Sequence, residues 1–378
     1  MSTNKKTLLE CLMSVDDPRV DRTKGHNLLD ILTIAICAVL CGVDHWTEME
    51  RFGKSKEAWL SEFLELPNGI PSHDTFSRVF AALDSKQLQS CFVEWVKGLV
   101  AEAPPKHIAL DGKTLRRSGE AASGKKAIHM VSAYAHENGL VLTQCKVDEK
   151  SNEITALPEI LSRLELTGAI VSIDAMGCQK SIARQITQQG GDYVLSLKGN
   201  QGTLSDAVTD YFESAICDDF VLLEHDSFEE VDGDHGRIEM RRYDVLNDAS
   251  WLDPKKVWGG LSAVGCVRSE RNVNGVISRE SRYYLLSSPM PAKAFASAVR
   301  NHWGIENSLH WILDMAFRED ECRKRAGNSA ENFAILRHIT LNLLKQDTTV
   351  KLGVKSKRKA AGWDNDYLRH LLKGNLDA

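Results

Sequence analysis

Two short apolar segments, His107-Ile108-Ala109-Leu110 and Ala169-Ile170-Val171-Ser172-Ile173, run directly into aspartates, Asp111 and Asp174. Each aspartate is followed by a small residue, Gly112 or Ala175. Segments this short and this uniformly apolar read as strands buried on both faces, the pattern of a sheet with helices packed on either side. Ile128 to Tyr134 and Leu140 to Val147 read as two more strands, joined by His136-Glu137-Asn138-Gly139, a hairpin signal. Helical periodicity is expected from Glu153 to Leu166 and from Gln179 to Gln189, with a further apolar strand from Tyr193 to Leu197. The order β-β-β-α-β-α-β predicts an α/β fold around a mixed central sheet that is parallel in its second half.

The flanks have other periods. Before Pro104-Pro105, Leu28, Leu32, Ile36, Val39 and Leu40 recur at three- and four-residue steps, as do Leu88, Phe92, Trp95, Val96 and Leu99, which predicts an all-helical N-terminal unit, 1–102. Within it, Ser72 reads as the cap of a short helix that has the outline of the second helix of a helix-turn-helix, although a merely packed helix would look the same. After Asn200 one short helix (204 to 214) is followed by alternating stretches at 220–224, 237–246, 261–270 and 276–286. Turns are expected at Asp232-Gly233 and Asn274-Gly275. This reads as a β-rich insertion, 203–286, that divides a core of 103–202 and 287–348. The core ends on helical patterns at 292–313 and 330–344, and a basic C-terminal tail with a short helix, 349–378, closes the chain. The longest apolar run, Ile31 to Val43, is 13 residues, too short to span a membrane. The first residues lack a secretory signal, so a cytoplasmic protein is expected. Nine scattered cysteines without a C-x-x-C pair argue against a disulfide framework or a cysteine zinc site.

With 47 Lys plus Arg against 52 Asp plus Glu, the net charge of −5 excludes a bulk polycation. Nucleic-acid contacts must then come from local patches: Lys113, Arg116 and Arg117; Lys125 and Lys126; Arg323 to Arg325; and Lys351 to Lys359. Asp111 and Asp174, 63 positions apart, can lie side by side at strand ends, where ligand sites of open α/β sheets gather. Carboxylates forced together repel unless a proton or cation sits between them, and Mg²⁺ suits such a pair. The plainer reading is that each aspartate simply ends its strand. Glu306 is the best third carboxylate. It lies in Arg300-Asn301-His302-Trp303-Gly304-Ile305-Glu306-Asn307-Ser308-Leu309-His310-Trp311, where His302, Glu306 and His310 share a helix face. A zinc site made of those three would spread its ligands over two turns, which is not a usual zinc geometry.

Ala109-Leu110-Asp111-Gly112-Lys113-Thr114, Ile173-Asp174-Ala175-Met176-Gly177-Cys178-Gln179-Lys180, Leu197-Lys198-Gly199-Asn200-Gln201 and the stretch from Arg300 to Trp311 resemble, in order and wording, the H-repeat-associated transposases of bacterial insertion sequences. The likeness runs from about residue 8 to the C-terminus. It implies a ribonuclease H-like mixed sheet behind an all-helical N-terminal domain that is the candidate binder of DNA ends, with a β-rich insertion before the catalytic helix. It further implies DNA strand cleavage and strand transfer by a D-D-E triad, Asp111, Asp174 and Glu306, holding two Mg²⁺ or Mn²⁺ ions. Lys113, Lys198, Asn200, Arg300 and His302 are the implied DNA contacts in the core, and Lys357, Arg358 and Lys359 those in the tail. The implied partner is double-stranded DNA, both element ends and target, with a homodimer assembled on it in the bacterial nucleoid. In one respect the chain departs from related transposases, whose Tyr, Arg, Glu, Lys signature surrounds the glutamate. Here the other slots hold Val299, His302 and Leu313, leaving Arg300, His302 or Lys324 to supply the missing cations. Three readings remain: an active transposase, a host-retained and catalytically silent DNA-binding descendant, and a metal-free glycoside hydrolase using two carboxylates.

Overall fold

The computed structural model describes residues 5–376 apart from 121–123, 125, 149–151, 222 and 235–236. Lys125, one of the basic pair, therefore lies outside the described residues. The N-terminal region is helical, as its periodicity predicts: α1 (Leu8–Leu12), α2 (Leu28–Leu40), α3 (Trp46–Ser55), α4 (Glu57–Leu60), α5 (His73–Ala82) and α6 (Ser85–Val100). Local chemistry starts several of them. Thr7 and Glu10 form a reciprocal capping box on α1, and the Ser72 hydroxyl accepts from the Thr75 amide at the head of α5. The apolar run at 31–43 is a core helix, with Ile31 through Leu40 buried on every side. Among the described residues no helix is long and apolar enough to cross a membrane.

The sheet has nine strands: β1 (His107–Leu115), β2 (Ile128–Ala135), β3 (Leu140–Lys146), β4 (Ile170–Ile173), β5 (Asp192–Leu197), β6 (His225–Asp234), β7 (Arg237–Leu246), β8 (Ala263–Val273) and β9 (Val276–Leu286), in the order β3-β2-β1-β4-β5-β9-β8-β7-β6. β1, β2 and β3 are antiparallel, and β4 and β5 run parallel to β1. The intervening helices are α7 (Glu153–Ser162) and α8 (Lys180–Gln188). Beyond β5, α9 (Gly202–Cys217) leads to the four inserted strands, and β9 pairs with β5 through Val194 and Leu286, so they extend the same sheet.

Three local expectations need correction. Asp111 does not end its strand, because β1 continues to Leu115. Among the described residues of 220–224 there is no strand: Asp219 and Phe220 both take positive φ, which turns the chain, and pairing begins at His225. Asp232 and Gly233 pair with Glu239 and Ile238 inside the β6–β7 ladder instead of turning. The Asn274-Gly275 turn does form, with φ of 51° and 86°.

Helix α10 (Ala292–Ile305) crosses β1, β4, β5 and β7, then continues through a π turn (Glu306–His310) into α11 (Trp311–Phe317). Helix α12 (Ser329–Gln346) is buried along nearly its whole length between the N-terminal helices and β3. Its Asn342 caps the sheet edge at one residue, accepting from Val141 N–H and donating to Val141 C=O, both at 2.9 Å, so the outward polar groups of Val141 are satisfied. The basic C-terminal stretch folds into α13 (Val354–Trp363) and α14 (Asn365–Leu372), and Lys357 and Arg358 point inward.

Candidate active site

β1 outruns β4. The parallel register pairs Leu110 with Ile173, after which β4 stops, so Asp111 and Asp174 are the next positions on two adjacent strands. The Asp174 carboxylate accepts from the Met176 and Gly177 amides at 3.1 and 3.2 Å, which holds it in the turn leaving the sheet. Burial pushes the Asp111 carboxyl up to about 6; nearby His310 and the Gly112 amide counter this in part, while Asp174 and Glu153 add to it. Burial also raises Asp174, with Glu153 again adding negative charge and Lys198 opposing it. His310 and Lys198 offset these carboxylates only in part, and a bound cation would offset them further.

Glu306 reaches the cluster from the helix. At the π turn the Trp311 amide bonds to the Glu306 carbonyl five residues back, and His310 Nδ1 lies 2.8 Å from Glu306 Oε2 and 3.6 Å from Asp111 Oδ2. Such single widened turns are frequent at functional sites. Ligand atoms of Asp111, Glu306 and His310 all fall within 4.8 Å of one another. Asp174 is not part of that group; its tie to the cluster is the strand register and its charge coupling to Asp111.

Two contributors had no sequence signal beyond their positions. Glu153 opens α7, and its carboxylate sits over Gly112, where a Cβ would overlap it and His129; His129 Nε2 bonds Glu153 at 2.5 Å and His129 Nδ1 bonds Thr114 at 2.8 Å. A glycine after Asp111 thus leaves room for a further carboxylate beside Asp111. The second is a cavity of about 340 Å³ on the α10 side of the inserted strands, reaching Asn307 beside Glu306 and lined by five arginines (237, 241, 271, 282 and 300), Glu239 and Trp303. The Arg282 guanidinium stands 5.1 Å from the Trp303 ring centroid.

The other expected contacts divide. Lys198 and Lys359 are exposed, and Arg300 is half-exposed at the cavity, its carboxylate partners among the described residues being loose ones, Glu230 at 3.7 Å and Asp232 at 3.9 Å. Asn200 donates to the Ala175 carbonyl at 2.7 Å, clipping the loop that follows Asp174. The remaining residues need correction. Lys113 is spent on Asp314 at 2.7 Å and Asp320 at 3.7 Å, largely out of solvent. His302 bonds Ser172 at 3.0 Å, and burial lowers it to about 4, so it carries no charge at neutral pH and takes no part in a zinc face with Glu306 and His310. Lys357 donates to Leu344 O at 3.0 Å, and Arg358 to Val39 O at 2.9 Å, both buried away from any phosphate. Lys324 is packed between Trp46 and Phe333.

Residues 102–343 match the family model described as the transposase DDE domain, and residues 9–96 match the one described as DDE_Tnp_1-associated. The chain belongs to the DDE transposase family. It is 40% identical over 375 residues to the "H repeat-associated putative transposase YhhI" of Escherichia coli K12, covering 98% of both chains. It is 41% identical to the "Putative transposase YncI" of E. coli O157:H7, over 97% of this chain and 94% of that one. Among solved structures, a piggyBac transposase synaptic complex with hairpin DNA aligns with a TM-score of 0.47 at 9% identity, over 97% of this chain and 81% of that one, too loosely to carry an argument. In this DDE transposase Val299 and Leu313 are buried, so those two positions serve packing rather than chemistry.

Proposed function

We propose that this transposase cleaves DNA strands at the ends of an insertion sequence and transfers them to a target, with Asp111, Asp174 and Glu306 as its catalytic carboxylates on a ribonuclease H-like core. The observation that carries the reading is the meeting of Asp111 with Glu306 and His310 within 4.8 Å, beside the strand position of Asp174. Two divalent ions, Mg²⁺ or Mn²⁺, fit a carboxylate cluster in which Asp111 and Asp174 are partly buried and Glu306 is exposed, and would supply activation of the attacking water or 3′-hydroxyl and stabilisation of the leaving oxygen. Asp111 has a ligand atom within 4.8 Å of one of Glu306 and is coupled by charge to Asp174. The Met176 and Gly177 amides hold the Asp174 carboxylate, and in the ion-free protein His310 Nδ1 bonds that of Glu306.

Arg237, Arg241, Arg271 and Arg282 are paired with Glu239, Glu230 or Glu280, so within the cavity the loosely paired Arg300 and the half-exposed Trp303 are what support a nucleic-acid strand as the substrate, since a guanidinium suits phosphates and an exposed indole suits base stacking. Lys198, Arg300 and Lys359 are the accessible cations proposed to touch DNA. The N-terminal helices, 1–102, are the proposed end-binding domain, the core is 103–202 with 287–348, and the partner is double-stranded DNA bound by a homodimer at the bacterial nucleoid.

Purified protein, Mg²⁺ and a supercoiled plasmid carrying the inverted ends should produce 3′ nicks at those ends that chelation abolishes. Glu306→Gln should reduce nicking by on the order of 10³-fold or more while retaining end binding in a gel shift. Nicking that persists in Glu306→Gln moves the third carboxylate elsewhere, and none with the wild-type protein favours the silent DNA-binding descendant.

A further inference from the structure

Among the three groups that meet at the π turn, one is not a carboxylate. His310 is 3% exposed, so its ring is fixed by packing, and its Nδ1 faces both Glu306 Oε2 (2.8 Å) and Asp111 Oδ2 (3.6 Å). Its Nε2 is buried with no hydrogen-bond partner among the described residues. Ligand atoms about 2.1 Å from a common ion stand about 3.0 Å apart in an octahedron and about 3.4 Å apart in a tetrahedron, and the two observed separations bracket these values.

We infer that His310 Nδ1 is a direct ligand of the cation that Asp111 and Glu306 hold, which makes this a mixed oxygen and nitrogen site. The inference rests on the reading of the cluster as a cation site and specifies its selectivity. For Nδ1 to ligate, the ring proton must sit on Nε2, where no acceptor waits. Ions with weak affinity for nitrogen, Mg²⁺ foremost, do not offset that cost, whereas Mn²⁺ and Co²⁺ do. The site therefore favours Mn²⁺ over Mg²⁺ more strongly than three carboxylates would.

The test uses the full chain without DNA. Mn²⁺ is titrated and followed by electron paramagnetic resonance, with pulsed measurement of ¹⁴N coupling to the bound ion. The expected result is a nitrogen coupling in the wild type that disappears in His310→Ala and in His310→Gln, with Mn²⁺ affinity falling about tenfold and Mg²⁺ affinity changing less than about twofold. The Gln variant keeps a side chain able to bond Glu306, so it separates loss of a ligand from loss of packing, and circular dichroism confirms that both variants fold. Mn²⁺ bound in an Asp111-dependent way but without nitrogen coupling overturns the inference and leaves the carboxylate site standing. Mn²⁺ binding that is absent, or indifferent to Asp111→Asn, overturns both.

Discussion

Asp111→Asn is expected to abolish strand cleavage and, at the same time, to make the protein more heat-stable. Its carboxyl ordinarily ionises near 3.8 and here near 6, because burial, Asp174 and Glu153 together outweigh His310 and the Gly112 amide. At neutral pH and without divalent ions, the ionised group carries a penalty of roughly 3 kcal/mol. A folded-state pKa raised above the unfolded one means that the group's contribution is most favourable below about pH 3.8 and is lost as pH rises through about 6. Asparagine keeps the shape and removes the charge. The variant should melt a few degrees higher at pH 7, and the gain should vanish near pH 4. Adding Mn²⁺ should raise the wild-type melting temperature but not that of the variant. Thermal melts at the two pH values, with and without the ion, check this. A variant that melts lower at pH 7 would mean that Asp111 is already neutralised within the fold and that the cluster does not hold a deficit of positive charge.

Arg358→Ala is expected to cost stability, on the order of 3–5 kcal/mol, and not specifically DNA affinity. The Arg358 side chain is 3% exposed; it donates to the carbonyls of Val39 and Ala316, meets Asp44 at 3.2 Å, and lies 4.2 Å over the ring of Phe317. It therefore ties α13 to α2 and α11, and removing it leaves a largely buried carboxylate without this cation and the Ala316 carbonyl without this donor, while Val39 C=O keeps the Gly42 amide at 3.1 Å. Lysine cannot restore this planar set of contacts. The melting temperature should fall by on the order of 10 °C in Arg358→Ala. In Lys359→Ala, whose side chain is exposed, stability should stay within about 0.5 kcal/mol. Urea titrations of both variants decide the matter. An Arg358→Ala protein as stable as the wild type, but weakened in DNA binding, would restore this stretch as a phosphate-contacting surface.

Demands that act within a few adjacent residues are legible along the chain, and those that act between distant segments are not. Uniform apolarity at 107–110 and 169–173 identified buried strands, and the Asn274-Gly275 pair identified its turn, because burial on both faces and positive φ are demands that act on a few adjacent residues. Charge was the least legible property. Lys113, Lys324, Lys357 and Arg358 read as surface cations, yet each is largely enclosed and paired with a carboxylate, a carbonyl or an aromatic face from a distant segment. Asp232-Gly233 read as a turn because its residue types permit one, but ladder pairing with Glu239 and Ile238 outweighed that local preference.

The candidate site shows the same division. Asp111, Asp174 and Glu306 could be singled out from residue type and from the elements that carry them. Glu153 and the arginine-lined cavity could not, since their approach depends on which helix crosses which strand. By itself the sequence determined most of the elements, their order outside the inserted strands, and the aspartates in β1 and just after β4, since periodicity and turn chemistry are local. Only the tertiary structure decided which charges are buried and which carboxylates meet, because burial and proximity arise from packing between segments up to hundreds of residues apart.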